Sequence, residues 1–238
     1  VRVGPFSTIG RRVKIGDRTE IGPNVYIEAD TVLGADCRIF HGASIGGDPQ
    51  IAGVRDIVSF VEIGDHTIVR EFVTIHRSGN QNKKTIVGKN CLIMAYAHIA
   101  HDCVIGNDVV LVNATSLSGH IIVEDRAFIS GMIGAHQFVR FGKLSMTGGM
   151  SRIVKDILPY STVEGNPARL IGANAIGLKR AGIAPRVRSG IKNAINFIMH
   201  DELNTTQAIK KIKEEIEMSD EINYLVNFVN QSNRGIIR

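Results

Sequence analysis

Residues 96–103, YAHIAHDC, place two histidines three positions apart and an aspartate directly after the second. A neutral imidazole can take a proton from a hydroxyl or an amine near pH 7, and an adjacent carboxylate can orient it. His101 and Asp102 are therefore candidates for a general base and its partner. Paired histidines with a third nearby also occur in zinc sites, so metal binding is a competing interpretation. The choice depends on where the backbone directs each side chain.

The elements that would direct these side chains follow a six-residue repeat. From Val3 to Ile153 an apolar residue recurs at nearly every sixth position, the fifth position is mostly small or β-branched, and the second is often glycine or a carboxylate. This period fits neither an α-helix nor a single alternating strand. It fits short strands joined by tight corners, with positions one and five inward and the glycine relieving crowding at the bend. We expect parallel coils of about eighteen residues stacked at about 4.8 Å, with the cysteines buried at position five.

Two stretches interrupt the repeat and are predicted to leave the corners as loops, which often carry function. Residues 51–62 put Arg55 at an inward position, and residues 76–86 lack the apolar residue at Gln81. Past Pro159 the six-residue repeat ends.

Beyond residue 185 the apolar spacing becomes helical. The pattern predicts about three helices, with Thr205 or Thr206 capping one and Ser219 capping another. The predicted fold class is mainly β: a parallel β-helix of hexapeptide repeats over residues 1–160, followed by a linker and a small C-terminal α-helical domain over residues 161–238.

The composition, 44% hydrophobic and 21% charged, is typical of a globular protein with a sizeable core. There is no apolar run long enough for a membrane span and no leader pattern, so we expect a cytoplasmic protein without stable membrane insertion. Three cysteines without a CxxC pair argue against a disulfide framework or a zinc ribbon. A net charge of +5 favours anionic partners, although the lack of tryptophan and of basic clusters with aromatic residues argues against nucleic acid.

Stacking the repeat places three short segments above one another: 100–102, 118–120 and 136–138. Three histidines, an aspartate and a glutamine then gather on an outward patch within about 10 Å. His98 and His101 occupy different positions of their hexads and should diverge around a corner, which argues against shared metal ligation. Gly119 would lie directly on His101 and leave a bare backbone N–H beside the base, as the oxyanion of an acyl transfer requires.

Several motifs resemble one family over essentially the whole chain. They are HIAHDC at 98–103, Gly131-Met132 followed by His136-Gln137-Phe138, NPARLIGANAIGLKRAGI at 166–183, and the terminal RGIIR. These strings look like the UDP-N-acetylglucosamine acyltransferase family of hexapeptide-repeat enzymes. The resemblance implies a left-handed β-helix and a homotrimer with active sites between subunits. It also implies transfer of a 3-hydroxyacyl group from acyl carrier protein to the 3-position of a UDP-amino sugar, at the first step of lipid A synthesis, without metal or redox cofactor.

The resemblance also implies roles for individual residues. His101 would deprotonate the nucleophile at the sugar's 3-position, and the Gly119 N–H would stabilise the oxyanion formed from the acyl thioester. The residues implied to hold substrate are His98, His120, His136, Gln137, His76 and Gln50 in the pocket, with Asn174 and Arg180 at the uridine and phosphates. Those implied to line the acyl-chain groove are Met146 and Gly149, where a glycine favours a longer hydroxyacyl chain. Those expected to dock the acidic carrier are Arg140, Lys143 and Arg152.

The chain departs from the family pattern at Ile51 and Ile176, where the family commonly has acidic residues, and in the loop AGVRDIVSF. The family also usually has a further coil before the point where this sequence begins. The acceptor atom, a 3-hydroxyl or a 3-amine, therefore stays open, as does the acyl chain length. The alternatives are an acyl-CoA-dependent N-acyltransferase acting on a nucleotide-linked amino sugar for surface glycans, a γ-carbonic-anhydrase-like zinc enzyme, and a non-catalytic hexapeptide protein.

Overall fold

The computed structural model describes residues 1–54, 56–199 and 202–238, so the predicted inward position of Arg55 lies outside the described residues. In chain order the strands are β1 (Arg2–Val3), β2 (Thr8–Ile9), β3 (Lys14–Ile15), β4 (Glu20–Ile21), β5 (Tyr26–Ile27), β6 (Thr31–Leu33), β7 (Arg38–Ile39), β8 (Ser44–Gly47), β9 (Phe60–Ile63), β10 (Ile68–Val69), β11 (Thr74–His76), β12 (Lys84–Val87), β13 (Leu92–Ile93), β14 (His98–Ile99), β15 (Val104–Ile105), β16 (Val110–Leu111), β17 (Ser116–Leu117), β18 (Ile122–Val123), β19 (Phe128–Ile129), β20 (Gly134–Ala135), β21 (Arg140–Phe141), β22 (Met146–Thr147), β23 (Arg152–Ile153), β24 (Ser161–Gly165) and β25 (Ala168–Ala173).

Every third strand pairs in parallel, and this builds the three faces of a triangular prism. Face A runs from β1 to β22 and continues into the hairpin of β24 and β25, face B runs from β2 to β23, and face C runs from β3 to β21. His98 pairs with Ser116, and Ser116 with Gly134, so the uninterrupted coils have the predicted length of eighteen residues. The predicted left-handed parallel β-helix is confirmed. We call the corner after a face B strand corner BC, and name corners AB and CA likewise.

The prism is held together by inward apolar residues at positions one and five of the repeat. Ile27, Ile45, Ile75, Ile99 and Leu117 are fully buried along face B alone. The predicted burial of the cysteines is confirmed, since each is at most 1% exposed. Burial raises the pKa of one of these thiols to about 11 and of another to about 12, so they act as small apolar side chains.

The tight corners depend on position four of the hexads, where non-glycine residues adopt φ between +54° and +66°. The left-handed residue at the bend is therefore not the position-two glycine, but the predicted relief of backbone crowding by these glycines is confirmed. A Cβ at Gly10 or Gly16 would lie 2.4 Å from the backbone nitrogen of Ala29 or Ala35 in the next coil. These glycines are needed for close approach between coils.

Both interruptions of the repeat leave the prism at corner BC. Residues 48–59 connect β8 to β9, and residues 77–83 connect β11 to β12. The prediction of extruded loops is confirmed, although strands β9 and β12 occupy the last residues of each predicted stretch.

The C-terminal part has four helices within the described residues: α1 (Ala175–Arg180), α2 (Pro185–Met199), α3 (Thr205–Glu215) and α4 (Asp220–Asn230). The last three match the predicted apolar spacing. The predicted Thr205 or Thr206 cap is wrong, because Asn204 accepts from the Gln207 N–H and forms a capping box with it. Ser219 caps α4 as predicted. The predicted domain boundary at residue 160 stays a prediction.

A polar network joins α4 to face C of the prism. The Tyr224 hydroxyl donates to Glu124 (2.8 Å), and Arg140 donates to the other oxygen of the same carboxylate (3.0 Å). The Arg140 guanidinium also stacks over the ring of Phe228, 4.1 Å from its centroid. Arg140, a predicted carrier-docking cation, is thus neutralised inside the molecule. No helix among the described residues is long and apolar enough to cross a membrane.

Candidate active site

The predicted three-layer patch forms at corner BC, directly after strands β14, β17 and β20. The backbone register stacks residues 100–102 on 118–120 and 136–138, because each preceding pair of strands is joined without a slip. His136 and Gln137 are exposed, as predicted. His101 is more enclosed than expected, with 13% of its side chain exposed.

His101 and Asp102 form a hydrogen-bonded pair, with 2.7 Å between Nδ1 and a carboxylate oxygen. Because an ionised carboxylate can only accept, Nδ1 must carry the ring hydrogen, and Nε2 keeps its lone pair. The ring of His120 lies edge-on to that of His101, with centroids 5.1 Å apart. The arrangement leaves His101 ready to accept a proton at Nε2.

The loop 77–83 supplies further donors to the same carboxylate. The Ser78 hydroxyl and the Asn80 amide donate to one oxygen of Asp102, and the Gly79 N–H donates to the other at 3.0 Å. Desolvation opposes ionisation, but these donors and His101 together hold the pKa of Asp102 at about 2. Asp102 is therefore an acceptor-only group at neutral pH.

Sequence reasoning did not identify Ser78 and Asn80 as parts of the site. The available signal was the broken repeat directly after His76, which marked a functional loop without showing where it folds. Because that loop leaves corner BC one coil before Asp102, it closes over the dyad.

Gly119 lies against the face of the His101 ring, as the stacking predicted. A Cβ at this position would be 2.4 Å from Cε1 and 2.5 Å from Nε2 of His101. Within the part of the chain that the structure describes, no group accepts from the Gly119 N–H. A glycine is thus required for close contact, and its N–H is available to a ligand.

His98 and His76 form a second pair of rings, and the predicted divergence of His98 from His101 stays a prediction. Their ring centroids are 5.2 Å apart, and Nδ1 of His98 lies 2.8 Å from the Thr74 hydroxyl. Burial, with the neighbouring His76 and His101, lowers the pKa of His98 to about 4. His98 is therefore neutral at physiological pH. Nδ1 of His76 hydrogen-bonds to the backbone carbonyl of Asp48, two residues before the exposed Gln50.

The lower end of the patch is formed by stacked rings and by the C-terminal tail. His120 stacks on Phe138 with centroids 4.6 Å apart, and its Nε2 lies 3.7 Å from Asp102. Nδ1 of His136 lies 3.0 Å from the Arg234 guanidinium. The sequence motif RGIIR was recognised, but no role was predicted for Arg234.

One group of side chains within the described residues has the spacing of a metal site: His101, Asp102 and His120. This group does not contain the His98–His101 pair that first suggested zinc. His98 hydrogen-bonds to Thr74. A metal ion would compete with the hydrogen bonds that Asp102 already accepts from Ser78 and the rest of its loop. The donor set fits an orienting carboxylate better than a metal ligand.

Four predicted residues lie elsewhere on the same chain. Met146 is on face A and Gly149 at corner AB, on the side of the prism opposite corner BC. Asn174 caps α1, accepting from the Gly177 N–H and donating to the Leu144 carbonyl at corner CA. Arg180 is exposed at the end of the same helix. A single chain therefore does not bring these residues to the histidine patch.

Comparisons with known proteins agree with this architecture. Residues 156–237 match the family model "Udp N-acetylglucosamine O-acyltransferase; Domain 2", and residues 1–29 and 84–119 match bacterial transferase hexapeptide repeats. The chain is 47% identical over 208 residues, 87% of its length, to the acyl-(acyl-carrier-protein)-UDP-N-acetylglucosamine O-acyltransferase of Gloeothece citriformis, of which it covers 75%. The chain belongs to the UDP-N-acetylglucosamine acyltransferase family.

Two further members of the family align along the whole chain. The protein of the same name from Thermodesulfovibrio yellowstonii is 41% identical over 239 residues, covering 100% of this chain and 93% of that protein. The solved structure of the Francisella novicida UDP-N-acetylglucosamine acyltransferase superposes with a TM-score of 0.93 at 37% identity, covering 99% of this chain and 87% of that one. The recognition of the acyltransferase family from the sequence is confirmed.

The two departures from the family pattern have different surroundings. Ile51 lies near the dyad, on the far side of Gly79, since a Cβ at Gly79 would meet its Cδ1 at 2.4 Å and the Nδ1 of His101 at 3.5 Å. Ile176 is 67% exposed on α1. Ile51 therefore places an apolar group beside the candidate base, whereas Ile176 changes a surface distant from it.

Proposed function

We propose that this chain transfers a 3-hydroxyacyl group from acyl carrier protein to the 3-position of UDP-N-acetylglucosamine, at the first step of lipid A synthesis. The observation that carries the proposal is the His101–Asp102 pair, with Nδ1 and carboxylate 2.7 Å apart and Nε2 free to accept a proton. Its support comes from the relatives that carry this name, aligned over the residues that build the site.

The reaction begins when Nε2 of His101 takes the proton of the sugar's 3-hydroxyl. The oxygen attacks the thioester carbonyl, and the collapsing tetrahedral intermediate expels the pantetheine thiolate, which recovers the proton from His101. Asp102 stabilises the transient imidazolium without accepting its proton, because its donors hold its pKa at about 2. Removing such a base typically costs about 10²–10⁴ in rate.

The Gly119 N–H stabilises the oxyanion of that intermediate. It lies on the coil directly below the base, and no group among the described residues accepts from it. A backbone donor held by the β-helix needs no reorganisation when charge develops on the carbonyl oxygen.

The neighbouring histidines bind substrate as hydrogen-bonding groups. His98, with its pKa lowered to about 4, offers one ring nitrogen beyond the contact with Thr74. His76, Gln50, His120, His136 and Gln137 complete the pocket at the same corner. Metal and redox cofactors have no part in this scheme.

The working unit we propose is a homotrimer with sites between subunits. Asn174 and Arg180 for the nucleotide, and Met146 and Gly149 for the acyl chain, lie away from corner BC of their own chain. These residues can lie next to a histidine patch only if they come from a neighbouring subunit. Gly149 suits an acyl groove, because the nearest atom to a Cβ built there is a backbone oxygen at 3.6 Å.

The donor partner is acyl carrier protein, an acidic partner for a chain of net charge +5 in the cytoplasm. Of the predicted docking cations, Arg152 is exposed and Lys143 is partly exposed. Arg140 is paired with Glu124 and contributes least.

A second candidate acceptor is the 3-amino analogue of the same sugar nucleotide, which would give an amide. The observation that favours it is Ile51, an apolar side chain beside the base where the family commonly has an acidic residue. With an amine, His101 would remove a proton after or during attack by the neutral nitrogen.

The test is acyl transfer from 3-hydroxyacyl carrier protein, offered UDP-N-acetylglucosamine and its 3-amino analogue side by side. His101→Ala should lose activity, whereas His66→Ala, which removes an exposed histidine at corner CA, should keep it. Transfer only to the amine would assign the second candidate. No transfer to either acceptor would refute both, and acyl-CoA donors would then be tried.

A further inference from the structure

Residues 232–237, near the end of the chain, form a fixed part of corner BC. Ile236 and Ile237 are 6% and 4% exposed, and the Ile237 N–H donates to the backbone carbonyl of Asp156 at 2.9 Å. The Asp156 N–H donates to the Gly235 carbonyl, also at 2.9 Å, and the Asp156 carboxylate accepts from Ser232 at 2.7 Å. The tail is thus tied on both sides of Asp156, which is itself 1% exposed.

This anchoring holds the Arg234 guanidinium next to His136. Nη2 of Arg234 lies 3.0 Å from Nδ1 of His136 and 3.2 Å from the Val154 carbonyl. Nε of Arg234 is buried and has no hydrogen-bond partner in the described part of the chain. The guanidinium is therefore partly removed from water, a cost that the contacts of Nη2 offset.

Two neighbours compete for Nδ1 of His136, and only one can hydrogen-bond to it. Nδ1 also lies 3.2 Å from the Gln137 carbonyl, which could accept if Nδ1 carried the hydrogen. A guanidinium has donors only, so the shorter contact with Arg234 requires a lone pair on Nδ1. An N–H at Nδ1 would instead face the N–H groups of a cation.

We propose that Arg234 is a positioning residue that keeps the ring hydrogen of His136 on Nε2 and a lone pair on Nδ1. The opposite edge of the ring then presents an N–H donor to the site, suited to a carbonyl oxygen of the acyl donor. The contact between this N–H and the acyl donor rests on the acyl transfer proposed above, whereas the assignment of the tautomer does not.

The cavity next to this contact supports a role at the site. It has a volume of about 370 Å³, and Arg234 shares its lining with His120, Phe138, Arg140 and Gln231. His120 is also the ring that lies against the candidate base, so the cavity adjoins the dyad. Arg234 therefore contacts His136 and also forms part of the wall of a cavity that adjoins the dyad.

The direct test is the tautomer of His136, read from two-bond ¹⁵N–¹H correlations of protein labelled with ¹⁵N in its histidine rings. His136→Gln assigns the signals among the eight histidines. In the unaltered protein Nδ1 should be unprotonated and Nε2 protonated. Arg234→Met should move the signals toward the other tautomer, and Lys155→Met, which removes a cation from the same corner, should not. Protonated Nδ1 in the unaltered protein overturns the proposal, whatever the activity.

Kinetics test the consequence separately. Arg234→Met should lower kcat/KM for the acyl donor about three- to tenfold, the loss expected for one hydrogen bond between an imidazole N–H and a carbonyl oxygen, and Arg234→Lys should recover part of it. An unchanged kcat/KM with an altered tautomer would refute the positioning role. An inactive wild-type protein with the expected tautomer would refute the proposed acyl transfer and leave the tautomer assignment standing.

Discussion

Replacing Gly119 by alanine tests the stacking of the base on the glycine below it. A Cβ there would be 2.4 Å from Cε1 and 2.5 Å from Nε2 of His101, whereas ordinary contacts begin at 3.4 Å. The ring must therefore withdraw by roughly 1 Å, the difference between those distances. It cannot do so freely, because Asp102 holds Nδ1 at 2.7 Å and loop 77–83 holds Asp102.

A displacement of about 1 Å at a catalytic group can cost about 10²-fold in rate, or about 2.7 kcal/mol of transition-state stabilisation. We expect the kcat of Gly119→Ala to fall by about 10²-fold. The variant should still fold, since overpacking costs only about 1–3 kcal/mol of unfolding free energy. The assay is steady-state acyl transfer combined with thermal unfolding.

The matched control is Gly134→Ala on the next coil of face B, where a Cβ meets nothing within 4 Å. Its kcat and its melting temperature should both stay near the wild-type values. A Gly119→Ala enzyme with wild-type kcat would show that the base tolerates the displacement or that His101 is not the base.

Three further predictions concern the carboxylate beside the base. Ser78→Ala removes a buried donor to Asp102 and should lower the free energy of unfolding by about 1.5–3 kcal/mol in urea titrations; an unchanged midpoint would contradict the role of that hydrogen bond. The pKa of Asp102 is lowered to about 2 in the folded state, so its stabilisation is complete above the unfolded value of about 3.9 and is lost as pH falls toward 2. Between pH 5 and pH 3 the free energy of unfolding, measured by urea titration, should thus fall by about 1–2 kcal/mol more in the wild type than in Asp102→Asn, and equal decreases would refute this assignment. Removal of metal by a chelator should leave kcat unchanged, because Asp102 is already occupied by donors; activity lost on chelation and restored by zinc alone would instead assign a metal to His101, Asp102 and His120.

The stacked patch could be predicted from the sequence because the repeat fixes both the direction of each side chain and its neighbour on the next coil. His101 over Gly119 follows from the register alone, and the structure contains it. The burial of the cysteines followed from the same rule. For the His101–Gly119 contact and for the cysteines, the six-residue pattern alone determines which residues of neighbouring coils meet.

Other features could not be predicted, because they depend on side chains that the repeat does not constrain. The helix cap moved from Thr205 to Asn204, one residue away, since the reciprocal bonds with Gln207 favour the amide. Asn174 was predicted by resemblance to meet a nucleotide, but within the chain its amide already bridges α1 and Leu144. Spacing alone does not show which of several polar partners a side chain takes.

The position of one insertion explains why this corner differs from the other two. Thr74 pairs with His98, whereas His98 pairs with Ser116, so the coil before the dyad is longer than the coil after it. The extra residues leave at corner BC and fold over the coil that carries Asp102, where Ser78 and its neighbours turn an exposed carboxylate into a fixed acceptor. A repeat without that insertion would present the same histidine and aspartate to solvent, free to rotate. The chemistry of the site therefore depends as much on where the repeat is interrupted as on the residues that the repeat carries.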